Sequence, residues 1–100
     1  MTGSYERKMQ AAAERLALIR AFGKRVTRLR EERGVSRQDL ARMAGIDETS
    51  LATLERGQRE PRLITLMRLS QGLDVSPNDL VRGLKVPEER TSGRPRRAPR

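Results

Sequence analysis

Two short stretches of helix-forming residues stand on either side of Gly45, and this arrangement narrows the fold more than any other feature of the chain. Ser36 can cap the first stretch, with Asp39 at its third position as an imperfect capping box. Residues 37–44 then place Leu40, Ala41 and Ala44 on one face. Asp47 can cap the second stretch, residues 48–56, whose inward side chains are Leu51 and Leu54, and Gly57 ends it. A sharp crossing of two short helices needs a turn residue tolerant of positive φ, and Gly45 supplies it. Their close approach needs a small side chain, and Ala41 supplies that. Each helix must bury one face, and Leu40, Ala44, Ile46, Leu51 and Leu54 occupy the positions that do so.

The flanking segments are also helical in pattern. From Ser4, a possible cap, apolar residues recur at Tyr5, Met9, Ala12, Leu16 and Ile19, alternately four and three apart. Phe22, Val26 and Leu29 continue the stripe after a small phase shift near Gly23, and Gly34 follows as a natural end. Residues 4–33 therefore form either one long helix or two helices meeting near Gly23, and a glycine's cost of about 1 kcal/mol in a helix interior favours two. Leu63, Leu66, Leu69 and Leu73 mark a further helix, with Gly72 as a weak point. Ser76-Pro77 is a strong start for a short last helix carrying Leu80, Val81 and Leu84. Pro87 terminates it, and residues 88–100 hold almost nothing apolar, which predicts disorder. The fold class expected is all-α. It comprises a helical extension over residues 1–21, a five-helix domain over 22–86 and a disordered basic tail over 87–100. Tyr5 and Phe22 are the only aromatics, so Leu, Ile, Val, Met and Ala must fill the single core.

The chain has no cysteine and no histidine. Disulfides, thiolate metal sites, the usual zinc sites and the familiar nucleophilic triads are therefore not available. Glu31-Glu32, Asp47-Glu48 and Glu88-Glu89 are sequence neighbours, and neighbours on a helix diverge. No catalytic residue, metal or cofactor is expected. The formal net charge is +9, and the last fourteen residues alone carry five Arg against two Glu. A basic surplus points to a polyanion, nucleic acid first and an anionic membrane second. No apolar run approaches the roughly 20 residues of a membrane span, and the first fifteen residues mix charge unlike a signal peptide. A cytoplasmic location is expected.

From Phe22 to Leu84 the sequence resembles the lambda-repressor-like, Cro-type (XRE) helix-turn-helix regulators. The matching landmarks are Val26, Leu29, Arg30, Gly34-Val35-Ser36, Leu40-Ala41, Gly45, Leu51, Leu54-Glu55-Arg56-Gly57, Pro61 and the run from Leu66 through Leu73. Within that family, the run from Phe22 to Val26 and residues 47–61 look most like restriction–modification controller proteins. These are small dimeric switches that regulate their own gene and that of a partner nuclease.

The resemblance implies that the helix after Gly45 reads the major groove of double-stranded DNA. It implies a homodimer on a palindromic operator, here one that regulates its own promoter. Carried over by position, the base-contacting residues are Glu48, Thr49, Ala52 and Thr53, with Ser50 nearby. Glu can accept from cytosine N4, Thr can take either role, and Ala can meet a thymine methyl. The phosphate donors map onto Arg37, Arg56 and Arg59, with Lys24, Arg28 and Arg62 as weaker members. Arg30 and Glu55 occupy positions that pair as an ion bridge. The dimer seam falls on Ile64, Met67, Val81 and Leu84. Other readings stay open. The chain could be a prophage-type repressor or an antitoxin whose residues 4–21 hold a protein partner. It could also be a coactivator that bridges proteins without reading bases.

Overall fold

The structure, a computed structural model, describes residues 3–86; the reading of residues 88–100 and the boundary at Pro87 lie outside them. Within that span there are five helices and no strand: α1 (Gly3–Glu32), α2 (Arg37–Ala44), α3 (Glu48–Glu55), α4 (Leu63–Leu73) and α5 (Pro77–Val81).

The caps are as their side-chain chemistry dictates. The Ser36 hydroxyl accepts from the Asp39 amide at 3.0 Å, and the Asp47 carboxylate accepts from the Ser50 amide at 3.1 Å. Each satisfies a donor that the first turn leaves unpaired. Gly45 takes φ 69° and ψ 34°, and its amide turns back to the carbonyls of Ala41 and Arg42. This left-handed residue aims α3 across α2.

One expectation is overturned. The chain does not break at Gly23, because α1 runs unbroken through it for 30 residues. Gly23 is buried against the end of α3. A Cβ there would stand 2.5 Å from the Leu54 carbonyl oxygen and 2.6 Å from that of Glu55. The glycine therefore serves a close helix crossing, and that packing offsets its poor propensity of about 1 kcal/mol. Gly72 likewise leaves α4 intact and marks where it crosses α2 against Ala44, so the weak point expected there is a close contact instead.

Val26, Leu40, Leu51, Leu69, Leu73 and Leu80 are fully buried, and Phe22, Leu29, Ala41, Ala44 and Leu54 complete the core. Each large side chain so buried contributes about 1.5–3 kcal/mol. Leu63 does not join them. It is 76 % exposed at the first position of α4, one turn ahead of the stripe that turns inward at Leu66.

The last helix is short and held from outside. Arg25 of α1 donates to the carbonyls of Asp79 at 2.8 Å and Arg82 at 2.7 Å, covering acceptors at the end of α5. Ser76 and Asp79 form a complete capping box at its start. The Asp79 carboxyl is held below its ordinary pKa, first by the Ser76 amide, then by the Ser76 hydroxyl and the charge of Arg82. A depressed folded-state pKa adds stability that is present above the unfolded value, about 3.9 for Asp, and lost as pH falls through the folded value. Asp79→Asn should therefore reduce the melting-temperature loss between neutral pH and about pH 3 relative to the parent. Equal losses in thermal melts at the two pH values would mean that the Asp79 charge adds nothing to the cap.

Candidate nucleic-acid interface

α3 has one face locked into the core by Leu51, 0 % exposed, and Leu54, 3 % exposed. The opposite edge is polar. Glu48 and Thr49 are exposed, and Ser50 and Thr53 are half-buried. The Thr53 hydroxyl donates to the Thr49 carbonyl at 2.9 Å. Its proton is thus engaged, while its oxygen can still accept. Ala52 does not belong to the outward set. It is only 9 % exposed, on the buried side of the helix with Leu51 and Leu54. Glu48 stands in the first turn of α3, where the positive end of the helix dipole favours a carboxylate.

Arginines surround this edge. A hollow of about 520 Å³ between α3 and the α3–α4 loop brings Arg59 and Arg62 beside Ser50 and Thr65, with Glu60 on the same rim. Arg56 caps the end of α3 and is exposed.

The Arg30–Glu55 bridge is present and well buried. Arg30 Nε donates to Glu55 Oε2 at 2.8 Å and its Nη2 to Oε1 at 3.1 Å, with side-chain exposures of 11 % and 2 %. Arg30 Nη1 also donates to the Val35 carbonyl at 3.0 Å, tying α1 to the α1–α2 loop. The carboxylate raises the Arg30 pKa through these hydrogen bonds, against the opposing effect of burial. Arg37 joins the same carboxylate, its Nε donating to Glu55 Oε1 at 3.1 Å. The family resemblance implies a phosphate contact for Arg37 and does not include this second bond.

One weaker member of the phosphate set lies on another side of α1. Arg28 lines a hollow beside Val75 and Asp79 on the α5 side of α1, and pairs with Glu32 at 3.6 Å. Lys24 is exposed and makes no hydrogen bond or ion pair among the described residues. Sequence reasoning missed the roles of Arg25 on α5 and of Arg68, whose Nη1 donates to the Gly45 carbonyl at 3.4 Å. Periodicity carries no signal for either. Only the count of unpaired carbonyls at helix ends asks for donors of this kind.

Away from α3, Ile64, Met67 and Val81 are 54, 41 and 39 % exposed, and Leu84 packs half-buried on the core. An apolar groove of about 300 Å³ runs between α1 and α5, with Leu18, Ile19 and Phe22 on one side and Val81 and Leu84 on the other. Beyond it, Tyr5, Met9 and Leu16 stand exposed along α1. Among the described residues no cluster of acidic side chains could hold a metal ion, and no helix is long and apolar enough to cross a membrane.

Comparisons with known proteins agree with this geometry. The helix-turn-helix family profile HTH_3 matches residues 26–80. An uncharacterised HTH-type transcriptional regulator of Sinorhizobium fredii is 41 % identical over 59 residues, which is 59 % of this chain and 77 % of that protein. Among solved structures, the restriction–modification controller protein C.AhdI of Aeromonas hydrophila superposes with a TM-score of 0.60 at 36 % identity. The match covers 64 % of this chain and 96 % of that one. A point mutant of the controller C.Esp1396I gives 0.63 at 27 % identity, covering 67 % and 85 %. With the profile matched over more than half of its length, the chain belongs to the XRE-type helix-turn-helix family of transcriptional regulators.

Proposed function

We propose that the chain acts as a homodimer on a palindromic operator and is a restriction–modification controller that regulates its own promoter from the cytoplasm. The observation that carries this reading is the edge of α3. Glu48, Thr49, Ser50 and Thr53 lie outward on a helix whose other face is fixed in the core, with Arg37, Arg56, Arg59 and Arg62 around it. Polar side chains on a short helix can meet base edges, and arginines on its flanks can hold the phosphates that set its register. A single domain of this size reads few base pairs, and dimerisation doubles the contacts. Ile64, Met67 and Val81 offer an apolar surface for that pairing. The match over nearly the whole of a controller protein supports the subclass.

The test is a binding titration on the DNA upstream of the chain's own gene. With about six phosphates neutralised by a dimer, the log–log salt slope should lie near −5. Thr49→Ala and Thr53→Ala should relax preference at particular base pairs by about 1–3 kcal/mol each, while Arg56→Ala should weaken all duplexes alike. Uniform loss in both classes, or a slope shallower than about −2, would sink the assignment of α3 as the reading helix.

A second reading has its own observation. The exposed stripe of Tyr5, Met9 and Leu16 on the N-terminal half of α1 suits a protein partner, as in an antitoxin. The neighbouring genes separate the two readings: a nuclease–methylase pair supports the controller, and a toxin gene supports the antitoxin.

A further inference from the structure

The family pattern asks for one ion pair at Glu55, and the structure holds two. The carboxylate is 2 % exposed and accepts from both Arg30 and Arg37. Arg30 already satisfies it in a fork, with Nε on one oxygen and Nη2 on the other. The second arginine is therefore not needed to neutralise the buried charge. Two cations against one anion leave the cluster with a surplus positive charge, and that surplus sits on the more exposed partner. The Arg37 side chain is 38 % exposed, against 11 % for Arg30.

Arg37 is also placed where an arginine is locally disfavoured. It is the first residue of α2, at the positive end of the helix dipole. Its bond to Glu55 comes through Nε alone, at 3.1 Å. Both Nη groups make no hydrogen bond among the described residues. A guanidinium held by Nε has given up most of the rotameric freedom of its stem, while its outer edge still presents donors in the fork that suits a phosphate.

We propose that Glu55 is a positioning residue for DNA binding: from inside the core it holds Arg37 so that its outer guanidinium edge meets a backbone phosphate beside α3. This rests on the reading of the α3 edge as the DNA contact. Arg30 anchors the carboxylate, Glu55 orients Arg37, and Arg37 touches the phosphate. Arginine is required in this role, because one planar group must reach the carboxylate and the phosphate at once. A lysine ammonium can serve either but lacks the fixed fork for both.

The experiment measures affinity for a random-sequence duplex of about 24 base pairs between about 50 and 200 mM salt, using the full chain. Thermal melts first confirm that each variant is folded. Glu55→Gln adds one net positive charge per protomer, so general electrostatics alone would tighten binding. Positioning requires the reverse: affinity about fivefold weaker at the low-salt end, and a salt slope shallower by about 0.9 for each phosphate that is no longer neutralised. Arg37→Lys keeps both the charge and the Arg30–Glu55 bridge, and it should still bind more weakly than the parent, between the parent and Arg37→Ala. That variant decides the matter if Glu55→Gln does not fold. Glu55→Gln binding as tightly as the parent, or Arg37→Lys matching the parent in affinity and slope, would overturn the positioning role. If these two variants match a parent that binds with a steep salt slope, only the positioning role falls. A parent chain with no salt-dependent affinity for the duplex would defeat the DNA-binding reading itself.

Discussion

Arg30→Ala is expected to lower the stability of the domain by about 3–5 kcal/mol, the range for breaking a buried ion pair from one side. The loss is not chiefly that of an attraction. It comes from leaving the Glu55 carboxylate, 2 % exposed, with Arg37 as its remaining cation. The change also removes the bond from Arg30 to the Val35 carbonyl, which fixes the loop leading into α2. For a domain this small, each kilocalorie is worth about 4–8 °C, so a fall of about 12 °C or more in melting temperature should follow. Replacing Arg30 and Glu55 together by methionine should recover much of that fall, because a well-packed apolar pair carries no stranded charge. A loss below about 1 kcal/mol in the single variant would show that water reaches the carboxylate, which is the behaviour of a surface pair.

Gly23→Ala is expected to destabilise by about 2 kcal/mol net, although alanine is the better helix former by about 1 kcal/mol. The new Cβ would lie 2.5 and 2.6 Å from two backbone carbonyl oxygens of α3. Backbone cannot rotate out of the way as a side chain can, so α1 and α3 must separate. Gly72→Ala gives the comparison. Its Cβ would lie 3.1 Å from the Ala44 Cβ, a milder intrusion, and its loss should be the smaller of the two. A melting temperature for Gly23→Ala at or above that of the parent would mean that α1 and α3 do not touch in solution.

These two residues also show what a single sequence makes legible. Gly45, Ser36 and Asp47 can be read because their work is local: a positive φ and two caps depend on residues within four positions. Gly23 misleads for the same reason. Its helix cost is a local quantity, while the backbone that requires it belongs to Leu54 and Glu55, about thirty residues away. The Arg30–Glu55 pair comes through family resemblance, but Arg37 closing on the same carboxylate depends on how α2 and α3 cross. Ala52 and Leu63 mark the limit of periodicity. A spacing rule gives the direction of a side chain; it does not say which neighbours cover it, or where the stripe's first turn leaves the core.

The unbroken course of α1 makes the N-terminal half of that helix a pointer with no joint. At a rise of about 1.5 Å per residue, the stretch from Gly23 back to Tyr5 is about 27 Å long. A tilt of about ten degrees at the crossing with α3 would carry its tip about 5 Å. A probe attached near Tyr5 would therefore magnify any small reorientation of α1 against α3, whatever binding event causes it.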